Sequence, residues 1–133
     1  MARDDAIYLA AFVDGEGSVM LGARRDTASV ILSVSNTKRV VLDWMLKATS
    51  VGRVQRQREA TAKTATSFFW RCTGDAAESV LSQIASHLKL KRLQADLAIT
   101  FQTRLRDPAL KADRTWQQDY LTRMRALNRR GPR

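Results

Sequence analysis

Few kinds of residue in this chain are able to do chemistry. Histidine occurs once, at His87, and cysteine once, at Cys72. One of each cannot assemble a disulfide framework, a zinc finger or a Cys/His metal cluster, and the histidine-based nucleases and Cys–His hydrolases fall with them. What is left is carboxylate, lysine and a large supply of guanidinium, hydroxyl and amide. An acid pair, Asp14 and Glu16, closes an apolar run as Asp14-Gly15-Glu16-Gly17. Two later stretches alternate apolar residues with Ser, Gln and Arg. Arg reaches guanine, Gln reaches adenine and Ser reaches either, and all three reach phosphates. The 133 residues hold 23 Lys plus Arg against 13 Asp plus Glu, a formal charge of +10. A surface this positive gathers polyanions and gains from the release of their counterions.

Those groups need elements to hold them. Asp4 or Asp5 can cap a helix through about Val13, with Ala6, Leu9, Ala10 and Val13 at helical spacing and the Gly15/Gly17 turn stopping it. Ser18 to Arg24 and Ser29 to Asn36 alternate as strands, joined as a hairpin through Arg25-Asp26-Thr27. Thr37 to about Thr49 reads as a helix, Arg53 to Arg58 and Ser67 to Thr73 as a second strand pair, and Ala76 to Ser86 and Leu90 to Leu105 as helices. Pro108 stops the chain, and a last amphipathic helix runs from Trp116 to Leu127. The whole chain, 1–133, is expected to be one α+β domain built on a four-stranded antiparallel sheet with helices on one face, and a basic C-terminal helix and tail from about 115. The apolar sheet face takes Val19, Leu21, Val30, Leu32, Val34, Val54, Phe68, Trp70 and Cys72. The opposite face is expected to carry Ser18, Arg24, Ser29, Ser33, Ser35, Arg53, Gln55, Gln57, Ser67 and Arg71, with no carboxylate among them.

Leu9-Ala10-Ala11-Phe12-Val13-Asp14-Gly15-Glu16-Gly17 resembles the nine-residue signature of the LAGLIDADG homing endonucleases. Three later segments resemble the same family in order: Val34-Ser35-Asn36-Thr37, Ser50-Val51-Gly52-Arg53-Val54, and His87 to Ala95 with its Leu88-Lys89-Leu90-Lys91 core. The resemblance implies an αββαββα domain and, because the motif occurs once, a homodimer on a (pseudo)palindromic duplex. Small residues at Ala10, Ala11 and Gly15 would let two motif helices approach closely, and Leu9, Ala10, Ala11, Val13 and Asp14 are the expected interface. By the family pattern Glu16 is the metal ligand, with the Gly15 carbonyl beside it, and Asn36 and Lys91 are the other catalytic groups. The motif's first acid, Asp14, is expected to cap backbone near the helix crossing rather than to bind metal. Lys38 or Arg39 would supply a further basic group. Oxygen ligands suit Mg²⁺, with Ca²⁺ or Mn²⁺ able to substitute in binding or cleavage. Ala11 and Glu16 depart from the commoner glycine and aspartate.

The expected function is therefore metal-dependent, site-specific cleavage of double-stranded DNA by an intron-type homing endonuclease. Two alternatives stand beside it. One is a non-catalytic module of the same fold, a transcription regulator or a maturase acting on RNA. The other is an unrelated basic α+β protein such as a ribosomal component. No basic n-region precedes Ala6 to Val13, and that run is too short to span a bilayer, so no membrane partner is expected. An intracellular setting, the bacterial cytoplasm or an organelle, follows.

Overall fold

The computed structural model describes residues 1–24 and 27–129, with the side chains of 23–27 excepted. The expected hairpin turn Arg25-Asp26-Thr27, the Arg24 side chain and the tail arginines Arg130 and Arg133 thus lie outside the described residues. Helix α1 (Arg3–Glu16) opens with Asp4 and Asp5 in its first turn, where negative charge complements the helix dipole. It runs three residues beyond the expected end, so Asp14, Gly15 and Glu16 are its last turn. Strand β1 (Gly17–Arg24) begins at the next residue. Only glycine fits there, because a Cβ at Gly17 would lie 2.8 Å from the Val13 Cα.

β1 pairs with β2 (Thr27–Asn36), and after α2 (Arg39–Thr49) come β3 (Arg53–Arg58) and β4 (Ser67–Thr73). The sheet is antiparallel in the order β1-β2-β4-β3, so the two hairpins join through the central pair β2·β4. Register aligns Val19 with Leu32 and Cys72, and Val34 with Trp70 and Val54, which puts the expected apolar residues on one face. Helices α3 (Gly74–Ile84), α4 (Arg92–Leu105) and α6 (Arg114–Asn128) join α1 and α2 over that face. Trp70, Phe101, Leu9, Leu32, Leu42 and Leu81 are fully buried among them, each contributing about 1.5–3 kcal/mol relative to exposure. Burial also pushes the Cys72 thiol up to about 12, which removes it as a nucleophile.

Several further boundaries differ from the sequence reading. Pro108 does not stop the chain: Asp107 accepts from the Ala109 amide at 3.0 Å and Pro108 begins a short helix, α5 (Pro108–Ala112). Asp113 caps α6 in the same way through Thr115, at 2.9 Å. The α3 helix starts two residues early and ends in a 3₁₀ turn, Ala85–His87. Near the C-terminus, Asn128 Nδ2 donates to the Val19 carbonyl at 2.9 Å and buried Gln94 donates to the Leu127 carbonyl, so α6 is tied to both β1 and α4. No described helix is long and apolar enough to cross a membrane.

The entry to β3 sets the edge of the sheet. The Trp70 indole N–H donates to the Val51 carbonyl at 3.0 Å, and Gly52 follows at φ +87° with its Cα pressed on the β4 backbone. A Cβ there would sit 2.6 Å from the Arg71 carbonyl oxygen. Gly52→Ala should cost about 2–5 kcal/mol, adding left-handed strain to a clash with main chain. Urea unfolding of the variant checks this, and an unchanged midpoint would mean that β3 shifts freely.

Candidate functional site

Three segments far apart in sequence meet at the carboxyl end of α1. The Asp14 carboxylate accepts from the backbone amides of Lys89, Leu90 and Lys91 at 2.7, 3.1 and 3.0 Å. These amides lead into α4, whose own N-cap position, Lys91, supplies no capping side chain. Asp14 thus binds the three successive amides of the segment that turns into α4, its N-cap residue included, and so fixes where that helix starts. The link is reciprocal, since Lys91 Nζ donates to the Asp14 carbonyl oxygen at 2.7 Å. That oxygen belongs to the last turn of α1, where carbonyls lack intrahelical partners and attract cations.

Two residues on, Glu16 is exposed and its Oε2 accepts from Asn36 Nδ2 at 2.7 Å. Asn36 ends β2 and its Oδ1 accepts from the Lys38 amide at 2.7 Å. The amide orientation is thus fixed from both sides, with its donor end on the carboxylate. Glu16 and Asn36 are joined directly, and Lys91 hangs on the same helix turn through Asp14. Gly15 is exposed, with nothing within 4 Å of where its side chain would be. The choice between Lys38 and Arg39 narrows: Arg39 pairs with Asp43 at 3.4 Å and lies over the Phe68 ring, while Lys38 makes no ion pair among the described residues.

The expected interface needs correction at three positions. Leu9, Ala10 and Val13 are completely buried in the chain's own core and have no surface to offer a second chain. Helical spacing gives one apolar stripe, and it is spent on the sheet. The exposed side of α1 is Ile7, Tyr8, Ala11 and Gly15, with Asp14 half-buried at its edge.

Below the α1 terminus the open face of the sheet carries most of the expected polar residues in register. Ser18, Ser33, Arg71 and Arg53 form one row across all four strands, and Ser35, Phe69 and Gln55 form the next. Ser29 lies opposite Gly22 farther along β1 and β2. Ser33 is buried, at 6% exposure, and Ser29 bonds its neighbouring carbonyl, so neither hydroxyl is as open as Arg53 or Gln55. Gln57 leaves the row: the β3·β4 register shifts between Arg56 and Arg58, and Arg58 takes the place opposite Ser67. Gln57 and Arg58 instead line a shallow hollow of about 510 Å³ with Ser35, Asn36, Thr37 and Ser67, next to Glu16's partner. No residue of the four strands is Asp or Glu. Phe69 and Arg58 escaped the sequence reading. Strand parity alone points Phe69 to the polar face, so that signal was present. The bulge has no sequence mark.

Asp14→Ala should remove the acceptor for three amides, lowering stability by about 1–3 kcal/mol. Hydrogen exchange at Lys89, Leu90 and Lys91 should accelerate selectively, and unchanged protection there would contradict the clasp.

No protein-family model and no curated protein matches the sequence. Solved structures do match. The homing endonuclease I-CvuI in complex with its target, in the presence of Ca, superposes with a TM-score of 0.80 at 20% identity over 98% of this chain and 86% of that one. An archaeal intron-encoded homing endonuclease complexed with DNA gives 0.77 at 15% identity, over 98% and 87%. The LAGLIDADG meganuclease I-AabMI bound to uncleaved DNA gives 0.66 at 16% identity, where 96% of this chain spans 46% of that one. At such identities a likeness establishes architecture, and the fold of this chain is that of the LAGLIDADG homing endonucleases.

Proposed function

We propose that the protein is a site-specific, metal-dependent DNA endonuclease that cleaves both strands of a duplex as a homodimer. The observation that carries this reading is the meeting of Glu16, Asn36 and Lys91 on one helix terminus above a sheet face without carboxylates. A carboxylate, an amide that orients it and an ammonium are the groups that phosphodiester hydrolysis asks for, and an arginine-rich face beside them gathers the polyanion. The solved structures it resembles are complexes with DNA in several cases.

Among the described residues there is no group of three His, Cys, Asp or Glu that could hold a metal ion. One chain offers the Glu16 carboxylate and the Gly15 carbonyl at the α1 terminus. These are hard oxygen donors and fit Mg²⁺, which keeps several positions for water and phosphate. The set becomes adequate when a second copy brings its own Glu16 and the DNA brings phosphate oxygens. A bound divalent cation would offset the negative charge that develops on the departing 3′ oxygen. Asn36 holds the carboxylate in place, and Lys91 and Lys38 bring positive charge to the phosphates.

The second copy is expected on the exposed side of α1. Ala11 and Gly15 are small enough for close helix approach, and Ile7, at 39% exposure, and Tyr8, at 51%, add apolar area. Leu90 is 73% exposed beside the Asp14 clasp and extends the same side. An isologous contact of this kind predicts a target with matching two-fold symmetry.

Glu16→Gln should abolish cleavage while gel shifts in Ca²⁺ show binding retained or tightened, since a charge that repels phosphate is gone. Full cleavage by this variant would refute the catalytic assignment. Lys91→Met should slow cleavage with a smaller effect on affinity. Ala11→Arg lies on the exposed stripe, so the fold should tolerate it. Sedimentation should then give a monomer where the parent gives a dimer, and an unchanged mass would move the interface elsewhere.

A further inference from the structure

The open sheet face holds one arrangement that charge alone does not explain. Arg71 lies with its guanidinium carbon 4.4 Å from the centroid of the Phe69 ring, two residues earlier on the same strand and face. Phe69 is only 8% exposed, with the guanidinium stacked on its ring and Ser35 and Gln55 beside it in the ladder. The Nε of Arg71 is buried without a hydrogen-bond partner. Its two terminal nitrogens are not buried in this way and make no bond to any described residue. Directly across the ladder stands Arg53, which is exposed, with no acid in any strand to separate the two charges.

Each of these features is unfavourable for the free chain. A buried donor left unpaired loses hydration, and like charges opposite each other in a sheet repel. The stack onto an aromatic face compensates in part and fixes the plane of the guanidinium. A solvated arginine would avoid both costs by swinging away from the sheet. Stacked on Phe69 with its Nε buried, Arg71 instead keeps its two terminal nitrogens available as a pair of parallel donors.

We infer that Arg71 is a base-reading residue for guanine and that Phe69 is the positioning residue that fixes its fork. Guanine offers O6 and N7 as two coplanar acceptors in the major groove, and arginine meets them with two parallel N–H donors. Arg53 beside it takes up phosphate or a neighbouring base, and the polyanion relieves the repulsion between the two arginines. This inference rests on the DNA reading above and adds to it which base is read and by what device. A ring under the guanidinium leaves less rotamer freedom to lose on binding, which is where a stacked arginine gains over a free one.

The test begins with selection of a binding site by the full-length protein from a randomised duplex pool in Ca²⁺. The selected site should hold a G·C pair invariant at one position of each half. Arg71→Ala should lose preference at that position by about 5- to 100-fold and leave the other positions as they were. Arg71→Lys should also lose it, since an ammonium cannot form the parallel pair, while overall affinity stays within a few-fold. Phe69→Leu keeps an apolar side chain but no flat ring and should blunt the preference at the same position. Phe69→Tyr should restore it. Thermal melting of each variant separates loss of fold from loss of reading, because a merely structural role for Phe69 would lower the midpoint without singling out one base pair. If the parent selects a site and Arg71→Ala weakens all sequences equally, Arg71 is a phosphate contact and the inference is overturned while DNA binding stands. If the parent selects no sequence at all, the DNA reading fails and the inference fails with it.

Discussion

The candidate site depends on one carboxylate that is taken up by backbone, Asp14. Asp14 gathers three backbone amides at the start of α4, and Lys91 answers by donating to the carbonyl of Asp14 itself. Charge-assisted bonds of this kind are roughly twice as strong as neutral ones. Three of them on one side chain fix the end of α1 against the beginning of α4, between positions 75 residues apart in sequence. Without that closure Lys91 would be one more mobile lysine on a basic surface. With it, Lys91, Gly15 and Glu16 have a common frame, and the partner of Glu16, Asn36, is delivered to the same frame by the end of β2.

Much of this was legible in the sequence because it is local. Period-two alternation placed Val19, Leu32, Val34, Trp70 and Cys72 on one face, and the register bears that out. The four strands, their hairpin pairing and the acid-bearing helix end were legible for the same reason, whereas Glu16, Asn36 and Lys91 were singled out by the resemblance of their segments to the LAGLIDADG pattern and not by spacing or composition. The illegible part is what one element alone does not determine. A helical wheel identifies the apolar stripe of α1 but does not say whether Leu9, Ala10 and Val13 serve the chain's own sheet or another chain. Their complete burial answers that. The β3 bulge depends on how two strands fit together, so Gln57 and Arg58 exchanged roles without a signal in either strand. Pro108 is ambiguous by nature, because the residue that ends one helix is also well suited to begin the next, and Asp107 in front of it decided the matter.

The two faces of the sheet obey opposite constraints. On the covered face the residues are interchangeable as long as volume is conserved, since their contribution is burial. On the open face Phe69 and Ser33 are buried and their row neighbours half-exposed, while the edge strand β3 is exposed along almost its whole length. Substitutions on β3 meet water rather than neighbours, so most should leave the fold untouched. A face that is tolerant structurally and dense in hydrogen-bonding groups is free to change what it recognises without renegotiating the core.

The joint between α1 and β1 has a mechanical consequence. Glu16 is the last residue of the helix and Gly17 the first of the strand, with no intervening loop and with no room for a side chain at Gly17. A connection of zero length has no slack. If the open face docks on a duplex as proposed, whatever tilts or flexes β1 is passed directly to the Glu16 carboxylate, like the short arm of a lever whose long arm lies along the groove. A poorly fitting duplex, touching only part of the sheet, would leave that short arm off its mark. On the proposed reading, discrimination between duplexes would then lie in the alignment of the acid as well as in affinity, and an insertion of even one residue at this joint would uncouple the two.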